Sequence, residues 1–476
     1  MSFLPPEIWF YVLDELEQTS DRIRLLQVCR HWNTALFAKV YSSLMIPFPE
    51  KLVAFAEALH QNPRLKPLVH ELHIPDFYAE QFEDVRVYNR TLFHKFLESF
   101  ADNDEELTKW EENLDIQNTS AWLTVILISL PNLQHLHLRW GGYGSETANT
   151  RWAISKIASK SPREDLPLQH LQTLTSVYED VKECFPAEEF IPFLKLSSMR
   201  TLHLSTIIDR VSDDEDPIFG VSFDLPQGVS RVRKLILKNS NTPHGLPEFI
   251  AACARLEHFE YQHNNQFEWG EAYRNYRCRV FRAPLLTQKD SLRVLRLNDV
   301  GVTKPQEVDE PEKDLQASKA QAWFGSLVEF VALKELRIPV RNLLDGTASK
   351  EPSLALSEVL PSGLEILVLT KVDFVECFML ERQLKRFLDV KEQQFPQLRI
   401  LSLQTFQMEV FPGEKLNLET NNWAVPRLVE TVFADVRSIC EGRGVEFSFA
   451  HDGDFQILAD GEVVDDTDEY GGRTAW

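Results

Sequence analysis

A six-residue pattern, apolar-x-x-apolar-x-apolar, returns eleven times between residues 69 and 449, and no other feature constrains the fold as strongly. The clear copies are LQHLHL (133–138), MRTLHL (199–204), VRKLIL (232–237), SLRVLRL (291–297), LKELRI (333–338), LEILVL (364–369) and LRILSL (398–403). Weaker copies are VHELHI (69–74), LQTLTS (171–176), LEHFEY (256–261) and GVEFSF (444–449). Alternation with period two predicts a strand, with the middle and last apolar residues on one face. The middle residues stand at 72, 136, 174, 202, 235, 259, 295, 336, 367, 401 and 447, at intervals of 24 to 64. Between copies lie segments of helical character, such as LPEFIAACAR (246–255), QAWFGSLVEFVA (321–332) and ECFMLERQLKRFLDV (376–390). Strand, return helix and strand in succession build a parallel sheet whose inner leucines stack into one core.

This body resembles a leucine-rich-repeat solenoid of irregular length, with parallel strands on the concave face and helices outside. Its intervals mostly exceed the 20–29 residues of a regular repeat. Regular repeats also carry an Asn three residues after the last Leu, which satisfies backbone groups at the bend. Here that position holds Ile207, Val300, Val372 and Phe406, or Gly141, Ser240 and Arg341, so the bends must be satisfied otherwise. Insertions at 75–120, 141–168, 209–228, 263–290, 301–319 and 405–425 are longer than connecting loops usually are. Several are acidic (DNDEEL, SDDEDP, EVDEPEKD) and read as solvated loops. Residues 450–476 read as an acidic tail, in which Asp460-Gly461 between FQIL and EVV predicts a hairpin.

The first 45 residues follow another rule. Ile8, Val12, Leu13 and Leu16 keep helical spacing, and Pro5 and Pro6 suit a first turn, where a missing N–H costs nothing. Thr19 and Ser20 can cap a second helix, and Cys29, Trp32, Leu36 and Val40 mark a third. Three such short helices are too small for a robust core and must dock on something larger. The run LPPEIWFYVLDEL…SDRIRLLQVCRHWNTALFAKVYSSL resembles an F-box, whose pattern is L-P-x-E-I followed by L-L-x-V-C-R-x-W. Leu4, Pro5, Glu7, Ile8, Leu16, Leu25, Leu26, Val28, Cys29, Arg30 and Trp32 occupy its positions, over residues 3–44. Gln18-Thr19-Ser20 with Arg22 and Ile23 departs from it, since the family more often has Pro and Asp-Leu-Leu there. The resemblance implies docking on the Skp adaptor of a cullin-RING ubiquitin ligase. It implies adaptor-binding roles for Leu4, Pro5, Ile8, Val12, Leu16 and Trp32. Trp32 and Cys29 lie nearer the module's own packing, with the thiol packed as a small apolar group and His31 facing solvent. The expected organisation is an F-box at 1–45, a solenoid at 46–449 and a tail at 450–476, an α/β chain overall.

Composition narrows the partners. The chain of 476 residues is 43% hydrophobic with 31 Phe and 10 Trp, enough for a large core. A formal charge of −22 argues against nucleic acid and anionic membrane, both of which reward clustered Lys and Arg. WLTVILISL (122–130) is half a membrane span and ends at Pro131, so it reads as a buried helix. The start MSFLPPEIWF lacks the basic region of a secretory signal, and six scattered cysteines form no CxxC pair. Reduced thiols in cytosol or nucleus are expected.

Bond chemistry finds no support. His135 and His137 share a strand face, His70 and His73 are three apart, and His258 and His263 flank a strand. None brings a third ligand at recognisable spacing, so neither metal nor cofactor is expected. No G-x-S-x-G, H-E-x-x-H, Walker loop or dinucleotide fingerprint is present. Strand positions flanking the middle Leu hold Arg139, Lys234, Lys238, Arg296 and Arg337 against Glu71, Glu260 and Glu335. A positive inner face would hold an acidic or phosphorylated protein substrate. The plainer reading, that exposed strand positions tolerate long polar side chains, also stands. The expected function is substrate recognition for an SCF-type ligase, without catalysis; the alternative is an acidic repeat scaffold binding a basic protein.

Overall fold

The computed structural model describes residues 6–16, 19–47, 51–75, 88–140, 147–160, 167–177, 184–208, 225–242, 244–264, 276–299, 322–345, 351–372, 376–405, 431–451, 456–457 and 463–464. Two compact units divide the chain, Met1–Arg233 with Ala252–Ala254, and the remainder from Lys234 onward.

In the first unit, helices α1 (Pro6–Asp14), α2 (Thr19–Val28) and α3 (Arg30–Ser42) lead into strand β1 (Ser43–Met45). Helix α4 (Lys51–Gln61) and β2 (Glu71–Ile74) follow, then α5 (Arg90–Glu98), α6 (Asp104–Asp115) and α7 (Thr119–Ser129). Strand β3 (His135–Leu138), α8 (Ala148–Lys160), β4 (Thr173–Ser176) and β5 (Thr201–Ser205) complete its run. All pairing in this run is parallel, and Leu44, Leu72, Leu136, Leu174 and Leu202 align in one row. Strand β1 was not foreseen, because Val40 and Leu44 also fit helical spacing.

The apolar stretch 122–130 does form a buried helix. Every residue of α7 is buried, and Trp122 meets Phe93 edge-on at 5.0 Å. The lengths read as loops at 75–120 and 141–168 contain α5, α6 and α8 instead. Asparagine starts three of these helices. The side-chain oxygens of Asn89, Asn103 and Asn118 accept from the amides of Leu92, Glu106 and Ala121, occupying N–H groups that a helix start leaves unbonded. No helix among the described residues is long and apolar enough to cross a membrane.

The second unit carries β6 (Lys234–Ser240), β7 (His258–His263), β8 (Val294–Asp299), β9 (Glu335–Pro339) and β10 (Ile366–Val372). Helix α9 (Cys377–Asp389), β11 (Ile400–Thr405), α10 (Ala434–Gly442) and β12 (Glu446–His451) follow. Leu235, Phe259, Leu295, Leu336, Leu367, Leu401 and Phe447 align in one parallel row. Each middle residue named from the sequence therefore sits in a common row of its unit, and those from Leu235 to Leu401 are wholly buried. Burying each leucine contributes about 1.5–3 kcal/mol. Mixed α/β architecture with parallel strands is what the repeated pattern predicts.

Helical character holds in part. Pro247–Ala252 and Cys377–Asp389 are helices, whereas 323–333 forms turns around Gly325, whose φ of 101° leaves the helical region. Phe324, Leu327 and Phe330 are still buried, so their spacing of three serves an irregular segment. The missing asparagines are replaced by several devices. Thr206, Asn239 and Lys371 take positive φ just past their strand cores. The Tyr261 hydroxyl donates to the Ser240 carbonyl at 3.1 Å and accepts from the Thr242 amide at 3.0 Å. The buried Gln288 side chain accepts from the Leu256 amide and donates to the Ile250 carbonyl. In the tail, Gln456–Ile457 pairs antiparallel with Val463–Val464; Asp460-Gly461 lies outside the described residues.

Candidate functional site

Helix α1 presents two faces. Trp9 and Leu13, four apart, turn inward, and Leu13 joins Leu26, Leu36 and Val40 in a four-residue core. Trp32 belongs to the same packing, its ring 4.2 Å from that of Trp9. Ile8, Tyr11 and Val12, at i, i+3 and i+4, form a ridge left in water at 42%, 72% and 39% exposure. Phe10 and Val28 are exposed as well, so five of the twelve large exposed hydrophobics among the described residues fall within 8–28. Such a concentration differs from single apolar residues scattered on a surface, which need no explanation.

Of the residues expected to meet an adaptor, Ile8 and Val12 lie on this ridge. Leu16 is half-buried beyond the helix end, where its carbonyl accepts from Arg22 Nε at 2.7 Å. Leu4 and Pro5 lie outside the described residues. Tyr11, the most exposed of the set, was missed because the motif carries no signal at its position. Cys29 also differs from expectation: it is exposed, in extended conformation, and caps α3 with Sγ accepting from the Trp32 amide at 3.5 Å. A residue that must leave the helix to cap it cannot also pack in the core. His31 is exposed, as the sequence implied.

The strand face opposite the stacked leucines holds the five cations proposed from sequence. Arg296 is only 3% exposed, with Nε donating to Glu335 at 2.7 Å and Nη1 lying 3.4 Å from Glu260. Lys238 reaches Glu260 at 2.5 Å, and His258 stands 3.4 Å from the same carboxylate. Two cations thus meet two carboxylates, while Lys234 and Arg337 stand in register on the neighbouring strand positions, beside His258 and Arg296. Burial pushes Glu260 up, but Lys238, His258 and Arg296 together hold it well below the usual carboxylate range. Burial dominates at Glu335 and raises it despite Arg296. Lys234 and Arg337 are half-buried on their strands, and in the first unit Arg139 is half-buried just past β3. Farther along the same unit Ile366, Val368 and Ile400 form an apolar cluster of their own. Parallel pairing brings these charges together across intervals of tens of residues, so counting signs along the sequence could not show which of them pair.

Against this geometry, residues 50–449 match the family model of the leucine-rich repeat domain. The chain belongs to that family. Residues 1–44 of this leucine-rich repeat protein match an F-box-like model, over the three helices that carry the ridge. No curated protein matches the chain.

Proposed function

We propose that this leucine-rich repeat protein is the substrate receptor of an SCF-type ubiquitin ligase, its F-box-like helices docking on a Skp-type adaptor and through it on a cullin. The observation that carries the reading is the apolar ridge Ile8-Tyr11-Val12, exposed on a module that matches the F-box-like family. The repeat units then hold a protein substrate, and the contribution to catalysis is proximity alone, with no bond chemistry by this chain. Such a receptor works in the cytosol or nucleus. Of the five cations, Arg139, Lys234 and Arg337, half-buried opposite the stacked leucines, are assigned to the substrate, and Lys238 and Arg296 hold Glu260 and Glu335. Co-purification with the adaptor tests the reading. Recovery by the wild type and loss in both Leu4→Ala/Pro5→Ala and Ile8→Asp/Val12→Asp supports it; equal recovery in all, or in none, overturns it.

A second reading is favoured by the charge of −22. An acidic repeat scaffold would bind a basic protein without any ubiquitin role. Deleting residues 1–45 separates the two, since a scaffold keeps its partner while a receptor loses the ligase.

A further inference from the structure

Strands β2 and β3 pair in register, with Glu71 opposite His135 and His73 opposite His137. Alternation then sends Glu71, His73 and His137 to the face away from the stacked leucines. Glu71 Oε1 lies 3.0 Å from His73 Nε2 and 3.3 Å from His137 Nε2. One ligand atom from each of the three residues falls within 4.8 Å of the others. The two imidazoles stack with centroids 4.2 Å apart and planes 2° from parallel. All three side chains keep about a third of their surface in water, at 32–34%.

These separations have a coordination meaning. With metal–ligand bonds of about 2.0–2.1 Å, neighbouring ligands of a tetrahedral ion lie about 3.4 Å apart. Two separations here are already near that edge. We propose that Glu71, His73 and His137 form a mononuclear site for a divalent transition metal of the Zn²⁺ type, with its remaining position open to water. Two imidazole nitrogens and one carboxylate oxygen suit Zn²⁺ and Co²⁺; Mg²⁺ and Ca²⁺ prefer oxygen throughout. On ligation each neutral imidazole carries its proton on Nδ1 and turns its Nε2 lone pair to the ion. The parallel rings tilt toward one another about χ2, a broad torsion in histidine. Ser43, in register beside Glu71 on β1, hydrogen-bonds the carboxylate and orients it from outside the ligand set.

A nearby pair provides a contrast. His94 Nδ1 meets Glu111 at 2.6 Å in the same unit, but no second imidazole belongs to a three-ligand cluster there among the described residues. Two ligands on an exposed helix surface do not make a site.

The test uses the full chain, stripped with a chelator and titrated with Zn²⁺ by calorimetry and with Co²⁺ by visible absorption. One ion per chain is expected, with the ligand-field bands of a four- or five-coordinate centre. Each of Glu71→Gln, His73→Gln and His137→Gln weakens binding by about tenfold or more, since even outer-shell changes cost that much. His94→Gln leaves binding unchanged. Affinity falls as the solution is acidified, since an imidazole must be unprotonated to bind the ion. In the wild type, Zn²⁺ protects His73 and His137 but not His94 from diethyl pyrocarbonate, read by peptide mass spectrometry. That arm decides the matter even if a variant fails to fold. No stoichiometric ion, equal affinity in all four variants, or no protection of His73 and His137 overturns the site.

Discussion

The three N-terminal helices and the seven strands of the second unit spend their apolar residues in opposite ways. The helices bury four side chains and leave five large ones in water, whereas the strands bury their row from Leu235 to Leu401. A small core cannot enclose every apolar residue of its own helices, and an exposed ridge offers a partner surface at little cost in folding. The strands put their variability on the other face, where Lys238 and Arg296 meet Glu260 and Glu335.

This contrast can be broken at either end. Arg296→Met should cost the most, about 3–5 kcal/mol, because it leaves Glu260 and Glu335 buried with one cation fewer. Denaturant melts check this, and adding Glu335→Leu should return much of the loss. Leu36→Ala, in the helical core, should cost about 2–5 kcal/mol and remove adaptor capture, while the second unit keeps its own transition. A single transition shifted for the whole chain would show that the two regions are not energetically separate.

Acid should act on the first unit. Burial, and to a smaller degree Lys66, pushes His60 down to about 4, and its Nε2 lies 3.0 Å from Ser129 Oγ on α7. An unfolded histidine titrates near 6.5, so between about 6.5 and 4 the unfolded chain holds a proton that the folded one lacks. Stability is therefore present above that window and is lost as pH falls through it. After allowance for solvent screening of a half-exposed ring, the loss is about 1–2 kcal/mol. His60→Gln should flatten the pH dependence of the melting temperature across this range.

Smaller effects sharpen the comparison. Cys29→Ser replaces a weak sulfur cap by a hydroxyl and should raise stability by a few tenths to about 1 kcal/mol, seen in thermal melts. Val12→Asp should change stability by no more than about 0.5 kcal/mol yet abolish adaptor capture. If it unfolds the module instead, the ridge is part of the core and the contrast fails.

The strand rows were legible because a period of two and a repeated leucine state which side faces inward. Every middle residue from Leu72 to Phe447 could be named before its partner was known. Helices α5, α6 and α8 were less legible, since they lie in long intervals that read as loops, and α5 and α6 are started by single asparagines whose caps need the three-dimensional turn. Strand β1 was hidden because Leu44 serves either periodicity. The ridge on α1 could be half read: Ile8 and Val12 belong to a known motif, but Tyr11 does not. The ligand set at Glu71, His73 and His137 was illegible for another reason. Its members lie on two strands 64 residues apart, and only their register brings the carboxylate within reach of both Nε2 atoms.

Register also decouples length from geometry. The middle residues return to the same row after 24 residues or after 64, so the number of residues between strands has no vote in how the rows align. A chain built this way tolerates splicing: a tag, a reporter peptide or a further binding loop can be set between two strands without moving a row. A single residue inserted within a strand would instead turn every later side chain of that strand to the wrong face. The fold is permissive between its strands and unforgiving inside them, and a search for where such proteins gain new specificities should begin with the intervals.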